Sequence, residues 1–312
     1  MHAFSNPIAP NANDPWLILH EGYYYYCLSY KGGVSVAKIE NIYDLDKAEP
    51  VNIWTPPVDT MYSRDLWAPE LHYINYDWYI YVAADDGKNE NHRMYVLKGT
   101  TQNPLDKFEF VGQIKDDTDK WAIDGTVMQY KGKLYFIWSG WEGDVDVAQD
   151  IYIAEMSDPC TISGKRIKIS SPELDWEIIG KPIVNEGPVA IERNGLMHIV
   201  YSASGSWTDD YCLGLLTLKG ENPLSADSWV KGEKPILSKS DTVFGPGHCS
   251  FTTSPDEDDT WVVYHANQVS GSGWSGRKAW TQPVSWDENN YPVIGDGTPV
   301  SAEEELQIII NE

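Results

Sequence analysis

Apolar-aromatic runs recur along the chain at a nearly constant interval. "YYYYCLSY" begins at Tyr23, "WYIYVAA" at Trp78, "LYFIWSG" at Leu134, "MHIVYSA" at Met197 and "WVVYHAN" at Trp261. Each run follows a shorter strand-like segment and a polar turn: "WLILHEG", "LHYINYD", "TVMQYKGK", "VAIERNG" and "FTTSPDEDD". Each leads into a third strand: "VSVAKI", "MYVLKG", "IYIAEM", "CLGLLTL" and "KAWTQPV". Weaker segments such as "FEFVGQI" and "DWEIIG" supply candidates for a fourth. No long helical period interrupts the pattern, and helix-friendly stretches such as "SAEEELQ" are short. Three or four antiparallel strands repeated at a fixed period are the pattern of a β-propeller. Five repeats predict an all-β, five-bladed β-propeller; a β-sandwich would not produce a five-fold period. No Ser/Gly linker or shift in composition divides the chain, so residues 1–312 are expected to form a single domain.

Composition narrows the partners. The 14 tryptophans and 19 tyrosines favour strands and suit contact with carbohydrate. The net charge of −24 argues against nucleic acid or an anionic membrane, which both need a basic surface. No apolar run reaches the length of a membrane-spanning helix. The start is not a signal peptide, which leaves an extracellular location (with a signal removed) and a cytoplasmic one both open. Cys27, Cys160, Cys212 and Cys249 are widely spaced without a CxxC pair, the pattern of separate thiols rather than a disulfide framework or zinc site.

Charged residues fall in register at the entrance of each repeat. "NDPW", "APEL", "IDGT", "NEGP" and "PGHC" place Asp14, Glu70, Asp124, Glu186 and His248 at spacings of 56, 54, 62 and 62. In a propeller the first strand of each blade lines the central channel, so these five positions would meet at one mouth. Burying such charges together is costly, which makes a purely structural role hard to motivate. Neighbouring carboxylates split their pKa values, leaving one protonated and another ionised near neutral pH. Glycoside hydrolysis needs that pair, an acid for the leaving oxygen and a base for water. Glu70 follows Pro69 and is left out of the catalytic set, because it can turn outward or into a structural hydrogen bond.

With these motifs in order, "NDPW", "RDLWAPELH", "WAIDGTVMQYKGKLYFIWSGW", "NEGPVAIERNG" and "FGPGHCSF", the chain resembles glycoside hydrolase family 43 over nearly its whole length. The resemblance implies that Asp14 is the general base, Glu186 the general acid, and Asp124 the residue that raises the acid's pKa and orients it. It implies an inverting reaction, with base and acid about 6.5–9.5 Å apart. His248 resembles the axial histidine that binds calcium or ordered water in many members, and Arg277 in "SGRKAW" an arginine that contacts the sugar. Trp67 and Trp141 are candidates for stacking on the sugar. Within the family the chain is most similar to exo-acting α-L-arabinofuranosidases on α-1,5-linked arabinan. β-Xylosidase and endo-arabinanase are the alternatives within the fold, and a non-catalytic carbohydrate-binding propeller is the alternative outside catalysis. No cofactor is expected to be required. Calcium at His248 would need water to complete its six to eight oxygen ligands. The expected partner is plant cell-wall arabinan or its oligosaccharides, with the protein acting as a monomer.

Overall fold

The computed structural model describes residues 2–308; Met1 and residues 309–312 of the expected single domain lie outside the described residues. Strands dominate, and the protein is all-β. They fall into five successive antiparallel units. Unit one runs Trp16–His20, Tyr23–Tyr30, Gly33–Ile39 and Val51–Trp54, and unit two Arg64–Ile74, Asp77–Asp85, Arg93–Gly99 and Phe108–Gln113. Unit three runs Ala122–Tyr130, Lys133–Gly140 and Ala148–Asp158, with Thr161–Ile162 and Ile167–Ser170 both pairing with its third strand. Unit four comprises Ile183–Arg193, Leu196–Ala203, Cys212–Leu218 and Trp229–Lys231; unit five comprises Phe244–Thr253, Thr260–Asn267, Lys278–Trp286 and Pro292–Val293. A short parallel pairing, Ala148 with Ile183 and Gln149 with Val184, hydrogen-bonds units three and four into one nine-stranded sheet.

The tyrosine run of unit one shows why the second strands are so apolar. Alternate side chains leave opposite faces of a strand. Tyr24 and Tyr26 pack with Trp261 and Val263 of unit five, while Tyr25 and Cys27 pack with Trp78 and Ile80 of unit two. A strand covered on both faces has no polar side to show. Each large side chain so buried contributes about 1.5–3 kcal/mol. The same logic repeats around the molecule. Five apolar clusters lie between units one and two, two and three, three and four, four and five, and five and one. The first strands of the units likewise contact one another in a closed ring. His2–Ser5 pairs antiparallel with Glu305–Ile308 beside the cluster that joins units five and one.

The four cysteines are free thiols, three of them buried. Among the described residues, no helix is long and apolar enough to cross a membrane.

Candidate active site

Every first strand is interrupted or preceded by a residue in the left-handed region, Asp14 (φ 47°), Ala68 (42°), Asp124 (54°), Gly187 (54°) and His248 (47°), and those of units two and five hold a second, Asp65 (44°) and Gly245 (58°). Ala68, Asp124, Gly187 and His248 each lie within a slip of the ladder between the first and second strands, at Trp67/Glu70, Ile123/Thr126, Glu186/Val189 and Gly247/Ser250. Such bulges re-aim side chains. A left-handed backbone is strained for a residue with a Cβ and is held only where its surroundings over-determine it. The structural register is therefore set by these residues. Glu70 and Glu186 stand two places and one place beyond or before it, although the sequence spacing aligned them with Asp14.

The bulges gather the side chains. Asp14 Oδ1 lies 3.3 Å from His248 Nδ1, 3.3 Å from His265 Nδ1 and 3.3 Å from Arg277 Nη1. His248 Nδ1 is also 3.8 Å from Asp124 Oδ2. That same oxygen accepts the backbone N–H of Gly187, 3.0 Å away, tying unit three to the residue after Glu186. Tyr211 donates its hydroxyl to Glu186 Oε1 at 2.8 Å. The backbone N–H of His248 donates to Ser202 Oγ at 2.7 Å, and Arg277 Nη2 to the Ser206 carbonyl at 3.2 Å. Asp14, Asp124, Glu186, His248 and Arg277 thus form one cluster, contributed by units one, three, four and five.

Environment separates the acids. Burial alone would raise the Asp14 carboxyl, but His248, the contact with the His265 ring and the Arg277 charge hold it well below the usual carboxylate range; the Asp14 backbone N–H donates to His265 Nδ1 at 3.2 Å. Glu186 moves the other way. Burial pushes it up to about 7, with the Asp14 charge adding, against the lowering by the Tyr211 hydrogen bond and Arg277. Asp124 is raised well above its ordinary value by burial, then by Glu186 and Asp14. Burial pushes both imidazoles down, His265 to about 3. Of the groups around Asp14, the guanidinium is the one whose charge does not titrate.

Glu70 is buried and sits 2.8 Å from His72 Nε2, so of the two settings open to it, outward or into a hydrogen bond, it takes the second. The two candidate tryptophans have different settings. Trp67 is 39% exposed and stacks one face on His92, ring centroids 3.9 Å apart. Trp141 is 4% exposed and stacks flat on Trp121 within the core between units two and three, which leaves almost no face for a sugar. Two residues of the cluster went unmarked in the sequence reading, His265 and Tyr211, whose rings stack on each other at 5.6 Å. His265 lies inside the apolar run "WVVYHAN", where a buried imidazole needs a polar partner; that was the available signal.

Calcium finds no cage here. His248 offers one imidazole where calcium takes six to eight oxygens. Among the described residues, no group of three or more His, Cys, Asp or Glu could hold a metal ion. The protein atoms present do not build a calcium site without water ligands.

Comparison with known proteins identifies the family. The profile of "Glycosyl hydrolases family 43" matches residues 4–292. An extracellular exo-α-(1→5)-L-arabinofuranosidase of Streptomyces avermitilis is 34% identical across 95% of this chain and 65% of its own length. The enzyme of the same name from Streptomyces chartreusis is 32% identical across 85% of this chain and 83% of its own. The chain thus spans slightly less than two thirds of the Streptomyces avermitilis relative. Among solved structures, the α-L-arabinofuranosidase of Lactobacillus brevis superposes with a TM-score of 0.88 at 33% identity, covering 96% of this chain and 98% of that one. The chain belongs to glycosyl hydrolase family 43.

Proposed function

We propose that the five units are the blades of a five-bladed propeller forming one catalytic domain. We propose further that it is an inverting exo-α-L-arabinofuranosidase, releasing terminal L-arabinofuranose from arabinan or arabino-oligosaccharides. The closed ring of first strands and the five inter-unit cores support the propeller. One observation carries the chemistry: the site drives Asp14 and Glu186 in opposite directions, the first kept ionised and the second poised at about 7.

In this reading Glu186 gives its proton to the glycosidic oxygen as the bond to the anomeric carbon breaks. A water attacks that carbon from the opposite face, and Asp14 takes the water's proton. The three partners of Asp14 keep it ionised at the cost of basicity. This suits a water that becomes acidic only as its oxygen bonds to the cationic sugar. Asp124 is a positioning residue. Its acceptance of the Gly187 N–H fixes the backbone beside Glu186. Arg277 and His248 hold Asp14 and border the sugar. The names of the Streptomyces and Lactobacillus relatives support arabinofuranose as the sugar, and those of the Streptomyces pair support an extracellular site of action. The test is a side-by-side assay on aryl α-L-arabinofuranoside, aryl β-D-xyloside and linear arabinan. Arabinose as the sole product supports the proposal. Xylose release, arabino-oligosaccharide products or no hydrolysis would replace it with a β-xylosidase, an endo-arabinanase or a binding propeller respectively.

A further inference from the structure

The ladder of unit four breaks at the residue proposed as the acid. Asn185 and Glu186 pair with Ala203 and Ser202, and the register then slips until Val189 meets Val200. Past Glu186, therefore, the sheet does not fix the backbone for two residues. An acid catalyst must hold its carboxyl within hydrogen-bond reach of the departing oxygen, and a small displacement is costly in rate. The backbone at Glu186 thus needs fixing from outside the ladder.

Asn185, the residue before it, is fully buried and gripped by three elements. Ser170 Oγ, at the end of the strand Ile167–Ser170, donates to Asn185 Oδ1 at 2.7 Å. Ser139 Oγ, from the strand Lys133–Gly140, donates to the Asn185 carbonyl at 2.9 Å. Asn185 Nδ2 donates to Glu177 Oε1 at 3.1 Å. Glu177 lies on the connection between Ile167–Ser170 and Ile183–Arg193 and is itself fully buried. Its carboxyl accepts the backbone N–H groups of Glu173 and Leu174 at 3.0 Å each, the Tyr201 hydroxyl at 2.8 Å, and the Lys231 ammonium at 2.9 Å from either oxygen. Burial alone would raise this carboxyl, but the N–H groups of Leu174 and Glu173, and then Lys231, hold it below its ordinary value. A carboxylate only accepts, so the Asn185 amide must turn its nitrogen to Glu177 and its oxygen to Ser170. A buried ion pair of this kind adds little net stability over apolar packing. Its distinct effect here is to lock one side-chain amide, next to one acid. On the other side of that acid, Asp124 accepts the Gly187 N–H. Glu186 stands between two clamps, both anchored in unit three or in the connection that follows it.

We infer that Asn185, locked by Glu177 and Ser170, is a positioning residue that aims Glu186 at the glycosidic oxygen. The inference rests on Glu186 as the acid and adds what holds it in place. It is tested with Asn185→Ala by comparing kcat/KM for phenyl and 4-nitrophenyl α-L-arabinofuranoside, which share the sugar and differ chiefly in how much protonation the departing oxygen needs. The ratio of the first to the second is expected to fall about threefold or more, because only the poorer leaving group depends on a well-aimed acid. A smaller change, with both rates intact or both lowered together, overturns the inference, since packing at the seam between units would produce that result. Should Asn185→Ala fail to fold, Ser170→Ala, which withdraws one donor from the amide, carries the same comparison, with a fall of about twofold as the criterion. Added to Glu186→Ala, Asn185→Ala is expected to change the ratio by less than about threefold, because the acid it aims is gone; a larger further fall overturns the inference. The two readings separate cleanly. An unchanged ratio in Glu186→Ala itself removes the acid assignment, whereas a lowered ratio there with an unchanged one in Asn185→Ala removes the positioning role alone.

Discussion

The Arg277 guanidinium reaches the Asp14 carboxylate, Nη1 to Oδ1 at 3.3 Å, across 263 residues of chain. It supplies a fixed positive charge to the acid that must stay ionised. Removing it raises the Asp14 pKa towards the ordinary carboxylate range, so the proposed base protonates at a higher pH. Arg277→Ala is expected to lower kcat/KM about 100-fold or more and to move the acid limb of the pH profile upward. A profile measured between pH 3 and 8 checks both, and Arg277→Lys should recover the limb better than the rate, because it restores charge without the fork.

Glu186, at about 7, sets the other limb. An acid catalyst works while protonated, so kcat/KM should fall as pH rises through about 7. Tyr211 donates to the ionised form, and Tyr211→Phe should raise that pKa and carry the basic limb to higher pH.

The same shift predicts a change in stability. A carboxyl whose folded pKa lies above its unfolded value of 4.5 stabilises the fold below that value and loses this contribution as pH rises through about 7. Glu186→Gln has no such charge to bury. Its stability relative to the parent should therefore increase between pH 5 and pH 8, on the order of 3 kcal/mol at most. Urea unfolding at the two pH values measures it.

Gly187 takes φ +54° beside His248, and a Cβ there would stand 3.2 Å from His248 Nδ1. Gly187→Ala should cost about 1–2 kcal/mol in backbone strain and displace the imidazole from Asp14. Ala68 already bears that strain at φ 42° without a catalytic neighbour in its own side chain. Ala68→Gly should be neutral or slightly stabilising, as read from unfolding midpoints.

Trp141 and Trp67 were paired as sugar platforms on sequence grounds, but their exposure differs about tenfold, 4% against 39%. Trp141→Ala should cost about 3–5 kcal/mol as a core deletion. Trp67→Ala should cost less stability and act chiefly on KM, a split that thermal melts and steady-state kinetics resolve.

The repeat was legible because burial on both faces forces every second strand to be apolar, so "YYYYCLSY" and its four counterparts stand out without any alignment. Asp14, Asp124, Glu186, His248 and Arg277 were legible from motif and spacing, and they cluster. The true register was not. A bulge shifts the ladder by a residue or two, which a period of about 60 residues hides, so Glu70 read as the counterpart of Asp14 where the structure has Ala68. His265 and Tyr211 were hidden for another reason. They come from second and third strands or the loop before them, and their roles arise from packing between units rather than from any local pattern.

The central claim is that Asp14 acts as base and Glu186 as acid. It is tested most directly by the rates of Asp14→Ala and Glu186→Ala on arabinofuranosides with good and poor leaving groups. Both variants should lose most hydrolysis of arabinotriose. Glu186→Ala should recover partly on an activated aryl arabinofuranoside, which needs little protonation, while Asp14→Ala should not, because water attack still lacks its base. Full activity of either variant on arabinotriose, or recovery of Asp14→Ala without recovery of Glu186→Ala, would contradict the assignment.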